Sequence, residues 1–259
     1  MNLFITGASS GIAASVIQKI PIEHNIYVAV HTEKQLELIQ KRYQNCPNIQ
    51  CLKIDITNPN DVNTLSSYDI DIFISNAAIG HGGSMLEIPV SLLRENYETN
   101  VFSNIQVIQV VLKNMIQKKQ GRIIVISSLA GYLPIPFLGS YTSSKASLNH
   151  LIATLRLEMK LLNVDIPIIT ILPGLYRTGF NQVMTEEKFD RMDIDTYFTK
   201  QVEWLKKYET PIYHLLETKN LDTISNTIVN ACFSQKPKRI YRTRKLQAIF
   251  SKLYQFLFE

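Results

Sequence analysis

Apolar residues along this chain fall into two alternating rhythms. Short runs rich in valine, isoleucine and phenylalanine occur at Leu3–Thr6, Ile26–His31, Cys51–Ile56, Ile70–Ser75, Arg122–Ser127, Pro167–Leu172 and Arg239–Arg242. Several are continuously apolar, as strands covered on both faces tend to be. Between them lie stretches of helical spacing near 11–20, 33–44, 59–67, 89–118, 140–163 and 221–233. Strand alternating with helix predicts right-handed crossovers and a parallel sheet. The expected fold is therefore α/β: a doubly wound, seven-stranded parallel sheet with helices on both faces.

Two segments depart from the rhythm. From Thr178 to Asn220 the chain mixes charge with Phe180, Phe189, Tyr197, Phe198, Trp204, Tyr208 and Tyr213, directly after a predicted strand end at Pro173-Gly174. Ligands of open α/β sheets sit outside the carboxyl ends of the strands, so 178–220 is expected to cover a substrate. Residues 244–259 carry Leu246, Ile249, Phe250, Leu253 and Leu257 at helical spacing, flanked by Lys and Arg, which predicts a basic amphipathic helix. That helix could pack over the mouth of the site, pack against a second subunit, or contact an anionic membrane surface peripherally. No Gly/Ser linker divides the chain, so one domain is expected over 1–243 with the helix appended.

Composition narrows the classes. With 259 residues, 46% hydrophobic and 19% charged, the chain reads as globular. No run of about 18 apolar residues suggests a spanning helix. The first strand begins at Leu3 with no basic segment ahead of it, so a cytoplasmic protein is expected. Cys46, Cys51 and Cys232 lack metal-ligand spacing and read as thiols in a reducing compartment, with no metal site. Lys236, Lys238, Arg239, Arg242, Arg244, Lys245 and Lys252 outweigh the whole net charge of +5. The basicity thus belongs to the tail, and a nucleic-acid-binding face is not expected.

The chemistry starts at "TGASSGIA", Thr6 to Ala13, which follows the first strand and opens a helix. Gly7 allows a tight turn, Gly11 removes a side chain where a pyrophosphate must approach, and the helix N-terminus offers free N–H groups. Gly7, Ser9, Ser10, Gly11 and Ile12 are the candidate phosphate-binding residues. At the end of the second strand stand His31, Thr32, Glu33 and Lys34. His31, Thr32 and Lys34 could donate to a 2′-phosphate, whereas Glu33 would repel one; NADP(H) is the expected cofactor, with NAD(H) the alternative. Asp55, closing the third strand, is placed to accept from adenine.

These motifs, with others in fixed order, resemble the short-chain dehydrogenase/reductase family over residues 2–243. "TGASSGIA" resembles its TGxxxGxG, and "SNAA" (Ser75–Ala78) its NNAG. "TN" at Thr99-Asn100, "ISS" at 126–128, "YTSSK" at 141–145 and "PGLYRT" at 173–178 complete the set. Ser75, Ala78 and Ala13 depart from the family pattern in the details of cofactor packing. The resemblance implies a Rossmann-type fold, an NAD(P)(H)-dependent oxidoreductase, a homodimer, and Asn76, Ala77, Pro173, Gly174 and Thr178 as further cofactor residues.

Two Tyr-x-x-x-Lys pairs occur, at Tyr141–Lys145 and Tyr241–Lys245. The family's serine lies thirteen residues before its tyrosine, which selects Ser128 over Ser127; from Tyr241 the same offset lands on Ile228. Tyr141 and Lys145 share one helix face. The implied roles are proton transfer by Tyr141, stabilisation of the reacting oxygen by Ser128, ribose binding and electrostatic support by Lys145, and support of the lysine by Asn100. A phenol has a pKa of about 10, and bringing it near neutrality takes roughly 4 kcal/mol. The Lys145 ammonium and an oxidised nicotinamide are expected to supply that. The expected substrate is a hydrophobic carbonyl or secondary alcohol. Alternatives are an epimerase or dehydratase, and a cofactor-binding scaffold without turnover.

Overall fold

The computed structural model describes residues 1–192, 196–244 and 247. The strands are β1 (Asn2–Thr6), β2 (Asn25–Val30), β3 (Ile49–Lys53), β4 (Ile72–Ser75), β5 (Arg122–Ile126), β6 (Ile168–Leu172) and β7 (Ile240–Arg242). They pair in parallel in the order β3-β2-β1-β4-β5-β6-β7. The helices are α1 (Gly11–Ile17), α2 (Glu33–Tyr43), α3 (Pro59–Thr64), α4 (Val90–Tyr97), α5 (Asn104–Lys118), α6 (Gly139–Leu161), α7 (Phe180–Met192), α8 (Thr199–Leu216) and α9 (Asp222–Phe233).

Strand alternation makes the two cores. Leu3 and Ile5 of β1 point to one face, with Val16 of α1, Ile39 of α2 and Ile224 and Ile228 of α9. Phe4, between them, points to the other, with Val107 and Val111 of α5 and Leu148 and Ile152 of α6. Each such side chain contributes about 1.5–3 kcal/mol on burial, so both faces must be covered. The strand order reverses between β1 and β4, where successive connections leave to opposite faces and open a crevice at the carboxyl ends.

Some boundaries differ from expectation. The third strand, predicted at Cys51–Ile56, ends at Lys53; one residue beyond Ile54 the Asp55 N–H is taken by the Asp61 carboxylate at 2.8 Å. The 89–118 stretch is interrupted by a π-turn at Glu98–Ser103 between α4 and α5. Segment 178–220 holds the two helices α7 and α8. Of the predicted C-terminal helix, Arg244 and Gln247 are described; Leu246, Ile249, Phe250, Leu253 and Leu257 lie outside the described residues. Among the described residues no helix is long and apolar enough to cross a membrane.

Arg122, at the start of β5, staples this sheet to α9. Its guanidinium donates to the carbonyls of Ala231 (2.7 Å), Cys232 and Ser234 (2.8 Å), at the helix C-terminus. Arg122→Met is expected to lower stability by about 1.5–3 kcal/mol, because a cation satisfying terminal carbonyls is lost. A urea midpoint unchanged from the parent would contradict this.

Candidate active site

The turn between β1 and α1 is built for close approach. Gly7 and Gly11 have φ of +62° and +61°, a region that only glycine enters freely. A Cβ on Gly7 would stand 2.6 Å from Ala77 Cα, and one on Gly11 3.2 Å from Thr178 Cβ. The loops after β4 and β6 therefore press on the turn from either side. Thr6 Oγ1 accepts from the N–H groups of Asn76 (3.1 Å) and Ala77 (3.2 Å), while Asn76 Nδ2 donates to the Thr6 and Gly7 carbonyls at 3.1 and 3.0 Å. Ser10, at the N-cap of α1, makes no side-chain bond to the helix, which leaves the first amides for an anion. A cradle that a Cβ would fill, beneath free amides, fits a dinucleotide pyrophosphate.

At the far end of β2, His31 and Gln35 line the cleft. Thr32 does not: its hydroxyl caps α2 by accepting from Gln35 N–H at 3.2 Å. Asp55 lines the cleft, its carboxylate held by Thr57 N–H and Oγ1 at 2.9 and 2.8 Å. Arg42, which the motifs did not single out, donates to the Ser9 carbonyl at 2.8 Å and brings a cation beside the glycine turn.

The other end carries the hydroxyls. Ser128 Oγ caps a short 3-10 turn (Leu129–Tyr132) by accepting from Ala130 N–H at 3.1 Å. Tyr141 and Lys145 lie one turn apart on α6, both buried, with Lys145 Nζ 5.9 Å from the phenol ring centroid and donating to the Ile126 carbonyl at 3.4 Å. Burial pushes the Tyr141 phenol up to about 12, although the neighbouring Ser128 hydroxyl pulls it back in part. Burial likewise pushes Lys145 down to about 8. The lowered phenol pKa expected from sequence is therefore not set by this chain alone. Its burial holds Tyr141 protonated, the form that donates.

Asn100, in the π-turn, is fully buried. Its Oδ1 accepts from Ile79 N–H at 2.9 Å, and its Nδ2 donates to the Ile79 carbonyl at 2.9 Å and Ser144 Oγ at 3.0 Å. Asn100 is not on the cleft wall. Asn96 and Asn104 repeat its behaviour one turn to either side; sequence reading passed over them, though the spacing Asn-x3-Asn-x3-Asn was visible.

One cleft of about 1570 Å³ joins these parts, lined by Gly7, Ser9, Ser10, Gly11, Ile12, His31, Asp55, Asn76, Ala77, Ser128, Tyr141, Lys145, Pro173, Gly174 and Thr178. Its outer part is apolar, with Leu133, Ile135 and Phe137 from the proline loop facing Phe180, Val183 and Met184 of α7. His81 stands at this wall between the carboxylates of Glu95 (3.1 Å) and Glu187 (3.3 Å). Gln247 closes one corner: its Oε1 accepts from Leu175 N–H at 2.9 Å.

Residues 2–188 match the family described as short chain dehydrogenase. The NADPH-dependent 3-dehydrocapnine reductase of Ornithobacterium rhinotracheale is 26% identical over 257 residues, covering 92% of this chain and 86% of that protein. The probable short-chain type dehydrogenase/reductase VdlC of Helicobacter pylori is 26% identical over 259 residues, covering 98% and 92%. A short chain dehydrogenase/reductase from Burkholderia phymatum, solved in complex with NAD, superposes with a TM-score of 0.80 at 17% identity, over 97% of this chain and 92% of that one. The glycine cradle and the buried phenol at opposite ends of one cleft agree with that match. The chain belongs to the short-chain dehydrogenase family and is an oxidoreductase acting between carbonyl and CH–OH groups.

Proposed function

We propose that this protein is an NADP(H)-dependent reductase of hydrophobic ketones or aldehydes, working in reverse as a secondary-alcohol dehydrogenase, with Tyr141 as the general acid or base. The observation that carries it is a protonated, buried phenol beside Ser128 and Lys145 at the apolar end of the cleft. Gly7, Ser9, Ser10, Gly11 and Ile12 would hold the pyrophosphate, His31 the adenosine end, and Lys145 the nicotinamide ribose. When bound, the nicotinamide supplies the hydride. Ser128 donates to the carbonyl oxygen where negative charge develops, and Tyr141 gives that oxygen its proton. Lys145 opposes the charge left on the phenolate. His31 and the Arg42 guanidinium beside Ser9 favour a 2′-phosphate, and a relative named as NADPH-dependent supports the same choice.

Steady-state turnover of straight-chain 2-alkanones of about six to fourteen carbons with NADPH and NADH tests the reading. NADPH oxidation that rises with chain length is expected, since each buried methylene contributes about 0.8 kcal/mol. Cofactor binding without oxidation on any ketone or aldehyde would favour a scaffold instead.

A pH dependence follows. Lys145, held near 8, loses its charge as pH rises through that value, whereas Tyr141 keeps its proton to about 12. Reduction at saturating NADPH is therefore expected to fall on an alkaline limb near 8. A kcat/KM profile flat to about pH 10 would refute the assignment of that limb to the lysine.

A further inference from the structure

Three asparagines at four-residue spacing, Asn96, Asn100 and Asn104, run along one line from α4 through the π-turn to the start of α5, and all three are buried. Each grips the backbone of the loop after β4. Asn96 Oδ1 accepts from His81 N–H and its Nδ2 donates to the His81 carbonyl, both at 3.1 Å. Asn100 makes the same pair of bonds with Ile79. Asn104 Nδ2 donates to the Ala77 carbonyl at 3.1 Å, and its Oδ1 accepts from Ser75 Oγ. Four residues of helix rise about 6 Å, and two residues of extended chain span about 6.6 Å. Near-equality of those lengths lets alternate loop positions 81, 79 and 77 meet successive turns of the helix.

The far side of the same ladder holds α6. Asn96 Nδ2 also donates to Ser140 Oγ, and Asn100 Nδ2 to Ser144 Oγ, the two serines being again four residues apart and fully buried. Ser144 Oγ in turn donates to the Tyr141 carbonyl at 2.7 Å. One wall of the cleft, residues 76–81, is thereby tied to the helix that presents Tyr141 and Lys145. Both walls share single amide groups, so neither can shift without breaking a buried bond.

The geometry points to Asn96 and Ser140 as positioning residues for the reaction: their rung sets the distance between the cofactor wall of the cleft and the phenol of Tyr141. The inference rests on the proposed reductase reading. Neither side chain lines the cleft, so they act through the adjacent Tyr141 and the His81 backbone. Ser140 is the better handle, because removing its hydroxyl leaves Asn96 still bonded to His81.

The test compares wild type with Ser140→Ala, using the 2-alkanone turned over fastest. The single-turnover rate of NADPH oxidation is expected to fall about 5- to 30-fold, since an ångström of misplacement can cost as much as a hundredfold. The deuterium isotope effect with 4-deuterated NADPH is expected to be larger, while the NADPH dissociation constant stays within about twofold and the melting midpoint within a few degrees. Asn96→Ala, which also strips the His81 backbone, should enlarge the loss; if it does not fold, Ser140→Ala decides alone. An unchanged hydride-transfer rate and isotope effect in Ser140→Ala would overturn the inference, leaving the rung with the fold only. Wild type that turns over no ketone at all would instead overturn the reductase reading, a separate failure.

Discussion

Replacing Tyr141 by phenylalanine is expected to lower carbonyl reduction by about 10³- to 10⁴-fold while leaving the fold and NADPH affinity intact. The size comes from general acid catalysis, whose loss typically costs 10²–10⁴. Tyr141 is buried with its ring against Phe180, at a centroid distance of 5.5 Å, so phenylalanine keeps the packing. The lost group is a hydroxyl whose proton the site holds strongly, with the phenol pushed up to about 12. Ser128 would still donate to the substrate oxygen, which leaves a residual rate above solution. Turnover within tenfold of the parent, in a protein with an unaltered melting curve, would remove Tyr141 from the chemistry.

Gly7→Ala should produce the largest loss of cofactor affinity. Its Cβ would sit 2.6 Å from Ala77 Cα, a backbone atom that cannot rotate aside, and φ at +62° is strained for any L side chain. Relief requires moving the loop after β4 away from the turn, against the Thr6–Asn76 and Thr6–Ala77 bonds. We expect NADPH binding to weaken by at least about tenfold, with a stability loss of about 1–3 kcal/mol. Gly11→Ala should be milder, because its neighbour at 3.2 Å is the side chain of Thr178. Fluorescence titration with NADPH checks both, and equal affinities for Gly7→Ala and the parent would show that the turn does not hold the pyrophosphate.

The alternation of apolar strands with helical stretches already contained the parallel sheet, since strands covered on both faces must be apolar throughout. Motif spacing likewise singled out Ser128 and Tyr141 over Ser127 and Tyr241 as candidates. In the fold the Tyr241 hydroxyl accepts from Lys238 N–H at 3.0 Å, away from the cleft that Ser127, Ser128 and Tyr141 all line. What the motifs left out was helix capping through an N–H three positions on. Thr32 was a phosphate candidate because of its hydroxyl, whose oxygen instead caps α2 while the side chain stands off the cleft wall.

The sequence by itself determined the alternation of elements, the glycines where the backbone turns left-handed, and the spacing that puts Tyr141 and Lys145 on one helix face. These are properties of the chain over a few residues, where period and backbone stereochemistry decide. Only the tertiary structure decided that burial holds the phenol protonated and draws Lys145 toward neutrality, because desolvation depends on everything packed around a group. It alone also brought Asn96 within reach of Ser140, 44 residues away, since a buried bond between distant segments exists only once the sheet has set both helices in place.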